Sequence, residues 1–138
     1  MWQLCTTFAA AVLAYDVWFY VVHRLLHVPC VYKRFHYQHH ASKHPAAKDA
    51  FTASMTENVI SGVGIVAPLA LQTQPSMAGF MAAYIFCFFR GVLRHDVRAA
   101  WLVGHHHLQH HIDPSCNYSS WYLDVALGTS WSQSHRRA

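Results

Sequence analysis

Five of the seven residues in His105-His106-His107-Leu108-Gln109-His110-His111 are histidines. Two further clusters lie upstream, His23-Arg24-Leu25-Leu26-His27 and His36-Tyr37-Gln38-His39-His40. Neutral imidazole offers one lone pair and binds iron, zinc, copper or nickel, so this residue type repeated at short spacing points to metal ligation. On a helix, residues three and four apart share a face. The spacing therefore predicts that 36/39/40 and 107/110/111 each send three rings into one sector, and 23/27 two. His23, His27, His36, His39, His40, His107, His110 and His111 are more than one tetrahedral or octahedral ion accepts, so two metal ions are expected. His106, one turn before His110, replaces or supplements a member of the last cluster in this reading. His95, ahead of the last cluster and close to the end of an apolar run, is a further candidate ligand. His44 and His105 are weaker candidates, and His135 reads as solvated tail.

Other chemistries fit poorly. Cys5, Cys30, Cys87 and Cys116 stand far apart with no CxxC pair, so they read as reduced structural thiols rather than a zinc knuckle or redox dithiol. No Glu lies between His23 and His27, and neither HxxHH carries a general base, which excludes an HExxH protease. The net charge of +4 is mild, and no basic run with stacking aromatics suggests nucleic acid.

The elements that must position these rings are apolar. Hydrophobic residues make up 54% of the chain and charged residues 12%, about half of the roughly 25% usual in globular domains, which suits a surface kept largely in lipid. The 138 residues leave room for one domain. Residues 2–22 form an apolar run of about the twenty residues a bilayer-crossing helix needs, and the start lacks the basic region of a cleavable signal. Asp16 interrupts this run. It either orients His23 through the ring N–H from two turns earlier, or pairs with a basic or hydroxyl group.

The stretch 31–41 reads as a short helix at the membrane surface, bounded by Pro29 and Pro45. Residues 59–71 and 77–89 are two apolar runs around Gln72-Thr73-Gln74-Pro75. They predict a helical hairpin, barely crossing or re-entrant, with a soluble antiparallel pair as the alternative. All ten Lys and Arg fall after the first span and outside the hairpin, together with the histidines. The positive-inside rule then puts the metal site on the cytosolic face. There the sequon Asn117-Tyr118-Ser119 would stay unglycosylated. The expected fold is all-α: an integral membrane helical protein with a His-rich cap on the cytosolic face.

Several segments carry a family resemblance. Asp16-Val-Trp-Phe-Tyr20-Val-Val-His23-Arg24-Leu-Leu-His27 resembles the opening signature of the fatty acid hydroxylase superfamily, which includes sterol desaturases, sterol C-4 methyl oxidases and fatty acid 2-hydroxylases. Tyr32-Lys33-Arg34-Phe35-His36-Tyr-Gln-His39-His40 is similar to its second box and His106-His107-Leu-Gln-His110-His111 to its third. Trp121-Tyr-Leu-Asp124-Val-Ala-Leu-Gly128-Thr129 resembles its closing segment, so the likeness runs over about residues 13–130.

The resemblance implies a non-haem di-iron site on the cytosolic side of the endoplasmic reticulum or a bacterial inner membrane, although zinc can occupy such a site in isolated protein. It implies a fatty acyl or sterol substrate, dioxygen, and electrons from NAD(P)H through a b-type cytochrome or similar partner. Inert C–H bonds need a redox metal, because side chains alone cannot supply two electrons. The family usually has further membrane helices before the first box and a His-Pro…Glu element after the second. Here 22 residues precede His23, and Met55-Thr56-Glu57 keeps only the acid. The alternative is a non-catalytic membrane protein with a structural or storage zinc site.

Overall fold

The computed structural model describes residues 1–70 and 72–134, and every regular element among them is helical. Leu71, His135, Arg136 and Arg137 lie outside the described residues. Helix α1 (Trp2–Leu26) has neither Gly nor Pro to break it. It ends where Val28 turns extended ahead of Pro29, as a residue before proline prefers, and Pro29 opens the short α2 (Pro29–Val31). At about 1.5 Å per residue, α1 is about 37 Å long, more than the roughly 30 Å hydrocarbon core of a bilayer. It alone among the described helices is long and apolar enough to cross a membrane, and only 28% of its apolar window is buried, unlike the core helix of a soluble protein.

Helices α3 (Met55–Ala70) and α4 (Met77–Leu93) are the expected apolar pair, α4 being capped by Ser76, whose Oγ accepts from the Gly79 N–H at 3.2 Å. At about 24 and 26 Å, each falls short of a full span. The arms of the expected hairpin are splayed. Both helices pack on α1, and a cavity separates much of their length.

The reason is where the small residues face. A Cβ on Gly64 of α3 would collide with the Trp18 indole of α1, and one on Gly79 of α4 would lie 2.5 Å from the Leu4 carbonyl oxygen. Trp18 Nε1 donates to the Ile60 carbonyl at 2.9 Å. Thr7 joins α1 to the far end of the pair, accepting from Ser76 N–H and donating to Gln72 Oε1, both at 3.0 Å.

Asp16 is buried and takes the second of its two expected roles. It forms a two-pronged ion pair with Arg90 of α4 and accepts from Ser120 Oγ at 2.8 Å and Tyr122 Oη at 2.6 Å. Removing one partner of such a buried pair costs roughly 3–5 kcal/mol, because the other charge is left stranded.

After α4 the chain turns at Arg94–Asp96 and continues by a 3-10 turn (Val97–Ala99) into α5 (Ala100–Val103), bent by 118° from α4. Gly104, at φ +77°, makes the next reversal in a region that favours glycine, and α6 (His106–Ile112) follows. Residues 113–120 then loop back to α7 (Trp121–Ala126) and α8 (Trp131–Ser134).

Asp124, fully buried, gathers that loop. Its carboxylate accepts from Tyr118 N–H at 2.9 Å, Ser119 N–H at 2.8 Å and Thr129 Oγ at 2.7 Å. The outward faces of α1, α3 and α4 carry exposed Leu13, Val17, Val21, Val59, Val63, Val66, Ile85 and Phe89. Contiguous exposed apolar surface of this kind marks a face meant for lipid or another apolar partner.

Candidate metal centre

Nine histidines converge at one end of the α1–α3–α4 group, in two sets whose ring nitrogens lie within 4.8 Å of one another. The first set is His23, His27, His36, His40 and His110; the second is His39, His95, His107 and His111. The chain delivers them from α1, from the segment after Pro29, from the turn after α4, and from α6.

Each HxxHH box divides between the two sets, although its spacing predicts one sector: on an α-helix i+3 and i+4 fall on opposite sides of i, about 100° apart. The segment 32–41 is wound as a π turn (Tyr32–His36) and then a 3-10 turn (His39–Ala41), which changes the angular spacing of its side chains. The i,i+4 pairs 23/27, 36/40 and 107/111 stay together, while His39 and His110 cross to the opposite set. The sets share a wall, with the His40 and His111 ring centroids 4.6 Å apart.

The spacing fits ions. In the first set Nε2–Nε2 separations are 3.1 Å for His23–His36, 3.4 Å for His23–His27, and 3.0 Å for both His36–His40 and His27–His110. In the second they are 3.1 Å for His39–His95 and 3.0 Å for His95–His107. Nitrogens about 2.0–2.1 Å from a shared ion stand about 2.9–3.4 Å apart between octahedral and tetrahedral geometry.

The opposite ring nitrogens show that lone pairs face inward. His23 Nδ1 and His110 Nδ1 each lie 2.5 Å from a carbonyl oxygen, of Tyr118 and Cys116, and His95 Nδ1 lies 2.8 Å from that of Gly91. A carbonyl only accepts, so Nδ1 carries the proton in these rings and Nε2 is left as the ligand atom. His36 Nδ1 meets Glu57 Oε1 at 2.9 Å, a carboxylate–histidine pair of the kind that orients a ligand and raises its basicity. His111 Nδ1 is 3.2 Å from the Ser42 carbonyl, and its Nε2 is buried without a hydrogen-bond partner. Lone pairs 3.0–3.4 Å apart with no proton between them repel, and a cation removes that repulsion.

Burial, reinforced by neighbouring rings, pushes His27 down to about 3, His40 to about 2 and His111 to about 4, and holds His39, His107 and His110 low as well. These rings are therefore neutral near pH 7 and available as ligands.

Of the ten residues singled out from the sequence, His106 joins neither set. Its Nε2 instead meets Asp124 Oδ2 at 3.0 Å, because α6 turns its 107/111 face and His110 inward and leaves His106 toward the closing loop. His44 and His105 are exposed, in keeping with their weaker reading. Asn117 is buried, donating to the His106 carbonyl and accepting from Trp131 N–H, so the sequon is closed to modification by its packing. The four cysteines are free.

Sequence reasoning missed the Tyr118, Cys116, Gly91 and Ser42 carbonyls, since a backbone oxygen leaves no mark on residue type. It noticed Glu57 without its partner. Asp124 appeared only within a closing motif.

A cavity of about 260 Å³ runs between α1, α3 and α4 up to the rings. Tyr15, Phe19, Ile65, Tyr84 and Phe88 supply most of its apolar wall, Glu57, Asn58 and Ser61 a polar strip on α3, Arg90 and Arg94 a basic one on the α4 side, and His23, His39, His95 and His107 its histidine end. Phe51, against Phe88 at 6.1 Å between centroids, helps to close it from the loop before α3.

No curated protein and no solved structure matches the chain. Residues 8–129, which hold both sets of rings, the cavity helices and the closing loop, match the family described as Fatty acid hydroxylase, and the chain belongs to that family.

Proposed function

We propose that this protein is a membrane-embedded lipid oxidoreductase that hydroxylates or desaturates a C–H bond of a fatty acyl or sterol substrate. It would use two iron ions, dioxygen, and electrons from NAD(P)H through a b-type cytochrome or similar donor. Membership of the fatty acid hydroxylase family implies an oxidoreductase and a lipid substrate. The observation that carries the finer reading is the junction of two adjacent sets of neutral, inward-facing imidazoles with an apolar cavity.

His23, His27, His36, His40 and His110 would hold one ion, and His39, His95, His107 and His111 the other. Bound iron supplies the electron transfer and dioxygen activation that side chains lack. The chain's own groups do the rest. Glu57 and the Tyr118, Cys116 and Gly91 carbonyls hold the Nδ1–H tautomer and aim Nε2 inward, while burial keeps the rings neutral. Phe19, Ile65 and Phe88 bind an aliphatic segment and keep water from its C–H bonds. The apolar outer faces sit in lipid, and the basic residues beside the histidines set that end toward the cytosol.

The test is metal analysis of the purified protein, followed by oxygen consumption with a reductant and defined fatty acyl and sterol lipids. About two irons per chain and lipid-dependent oxygen uptake are expected. Tightly held zinc with no lipid-dependent turnover would favour a structural or storage site.

A further inference from the structure

Four glycines lie inside the helices that form the cavity, and they divide into two kinds. Gly64 and Gly79 are demanded by packing, because a Cβ at either would collide with α1. Gly62 on α3 and Gly91 on α4 meet nothing within 4 Å of where their Cβ would stand, and both line the cavity. Glycine inside a helix is less stable than alanine, so these two glycines weaken their helices without relieving any contact. What they do is leave width between the splayed arms. Gly91 lies one turn before the ligand-set residue His95, to whose ring its carbonyl is bonded, so this width is close to the rings. Gly62 lies just over one turn beyond Glu57 on the opposite arm.

We propose that Gly62 and Gly91 are specificity-determining residues that set how thick a lipid segment reaches the histidines. The inference rests on the lipid-oxidising reading above. The magnitude is large. Each leucine would place four carbons, each about the size of a water, in a cavity of about 260 Å³.

The experiment uses the full chain in detergent with its metal, and cis-parinaric acid as a fluorescent linear probe. Ala, Val and Leu are placed at 62 and at 91, singly and together, with Val63→Leu on the exposed neighbouring face as the control. Probe binding should weaken stepwise with side-chain size, at least tenfold for each leucine, while metal content and Val63→Leu binding stay as in the parent protein. In turnover, the bulkier variants should lose a fused-ring sterol before a straight acyl chain. Binding and substrate preference unchanged within twofold in the metal-replete Gly62→Leu/Gly91→Leu double variant would overturn the proposal. A parent protein that holds metal yet binds no lipid overturns the lipid reading, and this inference with it. Should leucine prevent folding, the alanine variants decide through the same graded loss.

Discussion

The two sets of histidines use one residue type under different constraints. In the first, His23, His110 and His36 are each pinned from behind, by the Tyr118 and Cys116 carbonyls and by Glu57, and only His23 reaches the cavity wall. In the second, His39, His95 and His107 line the cavity, His95 and His111 are held from behind by the Gly91 and Ser42 carbonyls, and no carboxylate among the described residues backs a ring. Each set has one buried Nδ1 without a partner, that of His40 in the first and that of His39 in the second. The first set is the one tied to the closing loop, which Asp124 gathers, and the second faces the cavity. Two ions in identical imidazole chemistry would then differ in the charge behind their ligands and in access.

The largest break in that contrast is His110→Ala. It removes the ring that joins α6 to α1 in the first set, and metal should fall from about two ions per chain to about one or fewer, with activity down at least about 100-fold. Elemental analysis beside a turnover assay checks it. Next, Glu57→Gln keeps an oxygen for the His36 N–H but loses the charge behind it. Metal affinity should drop about 10-fold to 100-fold in the first set while the second keeps its ion, which competition with a graded chelator resolves.

Asp124→Ala leaves the Tyr118 and Ser119 N–H groups and Thr129 Oγ without their buried acceptor. At roughly 1–3 kcal/mol for each stranded group, it should lower the melting temperature clearly and loosen the first set more than the second. Equal metal loss from both sets would show that the closing loop does not distinguish them. The smallest effect belongs to His106→Ala. Metal content should not change, and activity should stay within about threefold, because this ring stands behind the site on Asp124. Loss of an ion in that variant would return His106 to the ligands.

Much of this was legible before any coordinates. The ligand residues carried their own signal, because imidazoles at i,i+3 and i,i+4 have few other reasons to recur, and the long apolar α1 showed in its unbroken run. Asp16 posed a choice that its sequence neighbours could not make. Its partners Arg90, Ser120 and Tyr122 come from distant parts of the chain. The splay of α3 and α4 was hidden for a similar reason: Gly64 and Gly79 are visible as glycines, but which helix they press against is not.

Residue type and spacing by themselves determined that this chain gathers metal-binding rings at the end of apolar helices, since lone-pair chemistry and hydrophobic runs are local properties. Only the tertiary structure decided which ring belongs to which set, which nitrogen faces inward, and that the space beside the rings is a cavity rather than a helix contact. Those outcomes depend on which segment meets each side of a helix, on carbonyls brought in from remote loops, and on α1 packing against both of two helices that are neighbours in sequence.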